Sequence, residues 1–310
     1  MAAASAEGGV KPSLSTTPPS FYIFPYSQTP PAGIPAEHRK ILLLIRHAQG
    51  AACPSLHFLR ALFSPLPFSF PAPLPSLTAH LLCNPPPLPP PTRAGTHNVA
   101  VAKSGGQDGG LEEPEYKNEA WADARLTPIG EEQSATLQPV LAALPHPEIV
   151  LVSPLSRTIQ TALIAFAGAA SPVSLVCEEL VRERNGAHPC DRRRPTAELR
   201  RDFPSVDFSP LRAEADDTWT PAREPWEGTV GRATAFLHKL AALPQSTVAC
   251  VTHNDFLQAL LLEAPELRAM DPALRKKFAN AECMPLWFVF SESLPQGDPM
   301  SHKELQGSPR

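Results

Sequence analysis

Five apolar residues in a row, Ile41-Leu42-Leu43-Leu44-Ile45, lead straight into Arg46 and His47. A continuous apolar run of that length reads as a strand buried on both faces, as in the centre of a parallel or mixed sheet. The pattern recurs twice. The run Thr247–His253 ends on its histidine, and the run Ile149–Ser153 passes through Pro154 and Leu155 into Ser156-Arg157. Three buried strands that each deliver His or Arg at or just past their carboxyl end form a constellation, because ligands of open α/β sheets bind at that edge.

Between these strands the period changes to that of helices. Thr127 is placed to cap a helix with Pro128 in its first position and acids in its first turn. That helix is expected to run to about residue 144, with Leu137, Val140, Leu141 and Leu144 on one face. Further helices are expected over 156–167, 196–203, 228–243 and 254–262. Strands are expected over 40–47, 174–180 and 284–290 besides the two already named. Strands alternating with long helices imply a layered α/β fold with right-handed crossovers and a mostly parallel sheet.

Composition alters this picture in two places. Residues 1–37 are rich in Ala, Ser, Thr and Pro with little charge, and are expected to be a disordered N-terminal segment. Residues 51–95 hold 12 of the chain's 39 prolines and no Asp or Glu. Proline recurs there too often for a membrane helix, and a structureless loop of that length is foreign to a compact domain. It reads either as a Pro-rich partner-docking loop or as non-native sequence, such as an untranslated stretch carried into the gene model. The second reading fits better, since joining Gly50 to Thr96 restores a short loop leading towards a helix. The expected organisation is a domain over 38–292 interrupted by 51–95, with a disordered tail over 293–310.

The formal net charge of −4 argues against a nucleic-acid or membrane-surface protein. The six cysteines show no zinc-ligand spacing, and Cys250 sits inside an expected core strand as a reduced thiol would. The first twenty residues are Ser/Thr-rich like a plastid transit peptide, but lack arginine and carry Glu7. The expected compartment is the cytoplasm, with the plastid as the alternative.

Two histidines and two arginines at one sheet edge suit phosphate better than a metal. Guanidinium groups crowd a cation but match phosphate oxygens in a planar, bidentate way. Histidine can accept a phosphoryl group covalently, while arginines and a second histidine offset charge on the equatorial oxygens. Glu183, just past the expected strand 174–180, could protonate the leaving alkoxide if its pKa is raised. Nothing in this chemistry calls for a metal or cofactor.

Four motifs carry a resemblance. Arg46-His47-Ala48, Leu126-Thr-Pro-Ile-Gly130, Ser153-Pro-Leu-Ser-Arg157-Thr-Ile-Gln-Thr-Ala162 and Val251-Thr252-His253 together resemble the histidine phosphatase superfamily, branch 1. The chain looks most like its plant, algal and fungal phosphoglycerate mutase-like members, over about 40–291 without 51–95. The resemblance implies a three-layer α/β/α sandwich with a mostly parallel central sheet. It makes His47 the phosphorylated nucleophile, with His253 completing the phosphate pocket and Glu183 the proton donor. Arg46, Arg157 and Asn98 would bind the substrate phosphate. Ala48 and Asn254 stand where the family usually has glycine, and Gln49 where many members have glutamate.

The activity implied is metal-independent hydrolysis of a phosphomonoester through phosphohistidine. A phosphomutase of the same family is the near alternative. A catalytically impaired phosphate-binding or scaffold protein with a Pro-rich docking loop is the distant one. The expected partner is a phosphorylated small molecule or phosphoprotein, with no nucleic acid and no membrane, and oligomeric state is left open. The cluster Arg192-Arg193-Arg194 could bind a second anionic group or form a solvated helix-start face.

Overall fold

The computed structural model describes residues 20–29, 34–48, 117, 119–269 and 271–291. Its strands are β1 (Ser20–Pro25), β2 (Arg39–Arg46), β3 (Ile149–Val152), β4 (Ser174–Cys177), β5 (Val206–Asp207), β6 (Thr247–Thr252), β7 (Leu267–Ala269) and β8 (Cys283–Ser291). Helices α1 (Pro128–Ala135), α2 (Leu137–Ala142), α3 (Ser156–Ala165), α4 (Thr196–Asp202), α5 (Trp226–Ala242) and α6 (Asn254–Gln258) alternate with them.

The strands form one sheet in the order β5-β4-β3-β6-β2-β8-β1-β7. Only β8 runs against the others, so five of the seven pairings are parallel. The apolar run of β2 explains the layering. Successive side chains of a strand face opposite ways, and Leu42 and Leu44 enter one core while Leu43 and Ile45 enter the other. The β6 residues divide the same way, with Val248 and Cys250 on the first face and Ala249 and Val251 on the second. The first core is closed by Phe236, Leu237 and Leu240 of α5 with Phe256 of α6. The second is closed by Leu137 of α2, Ile159 and Ala162 of α3, and Leu199 of α4. The result is an α/β/α sandwich with a mostly parallel sheet, as the apolar runs imply. Leu42 to Ile45 are each no more than 1% exposed, and each such burial stabilises the fold by about 1.5–3 kcal/mol.

Three expectations need correction. The lead-in over 1–37 is not structureless throughout, because β1 pairs antiparallel with β8 and parallel with β7. Phe21 and Ile23, two residues apart, both enter the first core, a period-2 signal hidden between prolines. The helix expected from Pro128 to about residue 144 is two helices that meet at Thr136. Pro139 has no N–H for the Ala135 carbonyl, which interrupts the hydrogen-bond ladder there. Leu137 and Leu141 stay buried, but Val140, 40% exposed, turns outward. The expected strand 174–180 stops at Cys177 and passes into a tight turn at Glu179–Val181. The expectations for 1–19, 51–95 and 293–310 lie outside the described residues, as do Gln49 and Asn98.

Candidate active site

The carboxyl ends of β4, β3, β6 and β2 are neighbours, and each hands its chain to a residue of the candidate site. His47 follows β2 and is bonded through its N–H to the Thr252 carbonyl at the end of β6, 2.9 Å away. That one ladder bond sets the two histidines side by side. The rings of His47 and His253 lie 4.7 Å apart between centroids, at 60° to each other.

The partners of each ring identify its tautomer. His47 Nδ1 is 3.0 Å from the Ala48 carbonyl oxygen. A carbonyl only accepts, so Nδ1 carries the hydrogen and Nε2 carries the lone pair. Helix α3 holds that carbonyl in place, because the Ala48 N–H donates to Thr161 Oγ1 at 3.1 Å. On the second ring, His253 Nδ1 faces an Arg157 guanidinium nitrogen at 3.1 Å. Guanidinium only donates, so the hydrogen of His253 is on Nε2, which donates to Ser153 Oγ at 2.8 Å. Burial, then the charge of Arg157, then His47 push the pKa of His253 well below the ordinary histidine value, and the ring is neutral near pH 7.

Arg157 is 2% exposed, on the first turn of α3. Besides His253 it donates to the Cys190 carbonyl at 2.6 Å and to Asp191 Oδ1 at 2.8 Å. Its Nε is buried with no hydrogen-bond partner among the described residues. An unmade bond of that kind costs roughly 1–3 kcal/mol. The amide end of α3 itself is not available to an anion. The Ser156 N–H and hydroxyl donate to the buried Asp123 at 2.7 and 2.6 Å, so the helix terminus already holds a carboxylate of its own chain.

Glu183 lies six residues past β4. Arg232 of α5 donates to the Leu180, Arg182 and Glu183 carbonyls and so fixes the segment that carries it. Thr252 Oγ1 ties the same segment to β6 through the Val181 carbonyl at 2.6 Å. The Glu183 carboxyl accepts from the N–H groups of Arg184 and Asp255, each at 3.0 Å. Burial, reinforced by the negative charges of Asp255 and Asp191, raises its pKa to about 7, against the opposing pull of Arg157.

The site therefore joins His47, His253 and Arg157 by direct contact and brings Glu183 within electrostatic reach. Arg46 donates to the Phe278 carbonyl at 2.5 Å, on the loop ahead of β8. The arginine cluster 192–194 divides: Arg193 and Arg194 are internal ties, while Arg192 stays part-exposed against the exposed Glu119. Arg193 is 3% exposed and donates to Glu179, Thr196 and the carbonyls of residues 213–215. Arg194 is spent on Asp123, Asp202 and Ser156, and Arg192 on Glu119. Sequence reasoning missed Ser153, Asp191, Arg223, Arg232 and Asp255 as members of the site. Ser153 stands inside a motif already noted, whereas nothing local separates Arg223 or Arg232 from a surface arginine.

The sequence profile of the histidine phosphatase superfamily (branch 1) matches residues 112–286. The chain belongs to that family. Its matched range includes Arg157, Glu183 and His253, while His47 enters the site from outside it, through the pairing of β2 with β6. The chain is 34% identical over 197 residues to a phosphoglycerate mutase-like protein of Arabidopsis thaliana, covering 54% of this chain and 70% of that protein. It is 29% identical over 152 residues to a probable phosphoglycerate mutase of Arthroderma benhamiae, covering 46% and 45% respectively. The crystal structure of a phosphoglycerate mutase from Bacillus anthracis superposes with a TM-score of 0.43 at 15% identity, over 83% of this chain and 93% of that one. The family match and the curated relatives support a phosphoglycerate mutase-like enzyme of the phosphatase and mutase type. Among its described residues no helix is long and apolar enough to cross a membrane.

Proposed function

We propose that the protein is a metal-independent phosphomonoester hydrolase that works through a phosphohistidine at His47. The observation that carries this is the hydrogen-bonding of His47. With Nδ1–H committed to the Ala48 carbonyl, the Nε2 lone pair is the group that meets phosphorus, beside a second, neutral imidazole. In the first step the Nε2–P bond forms as the ester P–O bond breaks, and Glu183 gives its proton to the leaving alkoxide. In the second, water attacks phosphorus, Glu183 takes the water's proton, the N–P bond breaks, and inorganic phosphate leaves. A carboxyl with a pKa of about 7 can serve in both directions, since each protonation state is well populated near neutral pH. Arg157 and Arg46 offset the phosphate's charge, Arg157 through the buried Nε that has no hydrogen-bond partner among the described residues. Asn98 is assigned an outer phosphate contact from its motif alone.

Hydrolysis is favoured over mutase action because it requires only water after the first step, whereas a mutase must retain and re-present its product. The substrate is a phosphorylated small molecule or a phosphoprotein.

The test is to incubate the full chain with a 32P-labelled phosphomonoester in EDTA and quench with alkali. Alkali-stable, acid-labile label is expected on the wild type and not on His47→Ala, whose kcat should fall by at least ~10⁴-fold, in line with loss of a nucleophile that works as part of a unit. Label that persists in His47→Ala would overturn the assignment. Conversion of one phosphoglycerate into its positional isomer, without release of inorganic phosphate, would turn the reading to mutase.

A further inference from the structure

Asp191 sits behind the candidate site, 4% exposed, in a part of the fold where a lone carboxylate would be protonated. It is held between two arginines from different elements. Oδ1 accepts from Arg157 on α3 at 2.8 Å, and Oδ2 accepts from Arg223 at 2.7 Å. Its backbone is held too, since the Asp191 carbonyl accepts from Arg182 at 2.7 Å and Arg182 is locked to Asp216 at 2.6 Å. One line of contacts therefore runs from Asp216 through Arg182, Asp191 and Arg157 to His253 and Ser153. Burial alone would raise the Asp191 carboxyl, but Arg157 and Arg223 outweigh it and keep it ionised at neutral pH.

The same cluster reaches Glu183. Arg223 donates to the Gly186 carbonyl at 2.9 Å, three residues beyond Glu183, and lies 3.9 Å from Asp255. Asp255 in turn gives its N–H to Glu183. Around Glu183 the charged groups thus include Asp191, Asp255 of α6, Arg157 of α3, Arg223, and Arg232 of α5, whose guanidinium donates to the Glu183 carbonyl at 3.1 Å. His188, 3.7 Å from Asp191 Oδ2, completes the titratable set around Asp191 with Cys190 beside it.

We propose that Asp191 is a positioning residue with two tasks: its carboxylate holds Arg157 against His253, and, through Arg223, it belongs to the charge cluster that reaches Glu183 by way of Gly186 and Asp255. The proposal rests on the phosphohistidine reading for its catalytic consequence, but the electrostatic half concerns Glu183 alone and can be read without turnover. Two substitutions on the full chain pull Glu183 in opposite directions. Asp191→Asn keeps shape and one acceptor oxygen but removes a negative charge, so the proton on Glu183 is held less tightly. Arg223→Gln removes a positive charge from the same enclosure and leaves Asp191 less neutralised, so that proton is held more tightly.

The experiment is a 13C NMR titration of the glutamate side-chain carboxyls, with Glu183 assigned by its loss in Glu183→Gln. It is paired with kcat and KM against pH for a generic phosphomonoester. The Glu183 midpoint is expected to fall by about one pH unit in Asp191→Asn and to rise in Arg223→Gln, as nearby like and opposite charges require. The alkaline limb of kcat should move with it. In Asp191→Asn kcat is expected to fall about tenfold or more, as misplacement of a phosphate-binding arginine does, while KM changes little. A midpoint that stays put in Asp191→Asn, or that moves the same way in both variants, would overturn the charge assignment. Wild-type kcat in Asp191→Asn across the profile would overturn the positioning of Arg157. If the wild type shows no turnover at all, the phosphatase reading falls by itself, and the NMR midpoints still decide the role of Asp191.

Discussion

At the scale of single residues, the site depends on which atom of each polar group is already engaged. His47 has its Nδ1 hydrogen committed to a backbone carbonyl, so Nε2 is the ring nitrogen that carries the lone pair. Glu183 is the residue whose titration should be visible in kinetics. Its proton-donating form is lost as pH rises through about 7, so kcat for a phosphomonoester with a poor leaving group should decline on the alkaline side with a midpoint near that value. Glu183→Gln should flatten that limb while lowering kcat by roughly 10²–10⁴-fold, the usual yield of general acid catalysis. A limb that persists in the Gln variant would assign the titration elsewhere. The pair Arg182 and Asp216 plays a different part. Both side chains are 3% exposed; burial alone would raise the Asp216 carboxyl, but Arg182 holds it well below the usual carboxylate range. Stability from this pair is present above the ordinary aspartate pKa and lost as pH falls through the lowered one. Asp216→Ala should therefore cost about 1–3 kcal/mol at pH 7, because it removes the main charge partner of a buried guanidinium that keeps Glu179 and the Asp191 carbonyl. In urea titrations the gap to wild type should narrow as the pH is lowered through the acid range.

At the scale of elements, the first strand is the part that local reading passed over. β1 covers the outer edge of β8, and Phe21 stacks on Phe288 with ring centroids 5.5 Å apart. Phe21→Ala should lower stability by about 3–5 kcal/mol, the range for removing a buried aromatic ring. Since β1 lies two strands away from β2, the variant should retain the wild-type KM wherever it remains folded. A change in KM at full foldedness would mean that β1 acts on the site after all. The carboxyl edge of the sheet has the complementary design. Apolar strands fix where each terminus emerges, and short polar segments after β2, β3, β4 and β6 supply the chemistry, so the rigid sheet does the positioning and the loops carry the function.

For the whole molecule, the central question is how His47 meets partners more than a hundred residues further along the chain. The parallel register of β2 on β6 answers it, with Arg46 opposite Thr252. Joining Gly50 directly to Thr96 should leave this register intact, so a chain lacking 51–95 is expected to keep or raise its turnover. A shortened chain that folds but loses activity would show that the span takes part in the site. Turnover should also survive EDTA, because each charge the reaction develops has a protein group assigned to it.

The amino-acid sequence by itself determined the class of fold and its central strands, and it singled out His47, Arg157, Glu183 and His253 as the candidate set. Both signals are local: an unbroken apolar run marks a doubly covered strand, and His or Arg at its end marks a polar terminus beside a core. The capping of α1 was equally legible, with the Thr127 side chain accepting from the Gly130 N–H. Other assignments were decided by contacts across the sheet. The anion at the start of α3 proved to be Asp123, 33 residues earlier in the chain. The arginines at 193 and 194 proved to be internal ties, and the carboxylate paired with Arg157 proved to be Asp191. An arginine in a polar stretch has the same sequence signature whether it meets solvent, substrate or a buried aspartate. Which of these it meets is set by the neighbours that folding brings, and a charge buried next to its partner is held there by the cost of leaving either one alone.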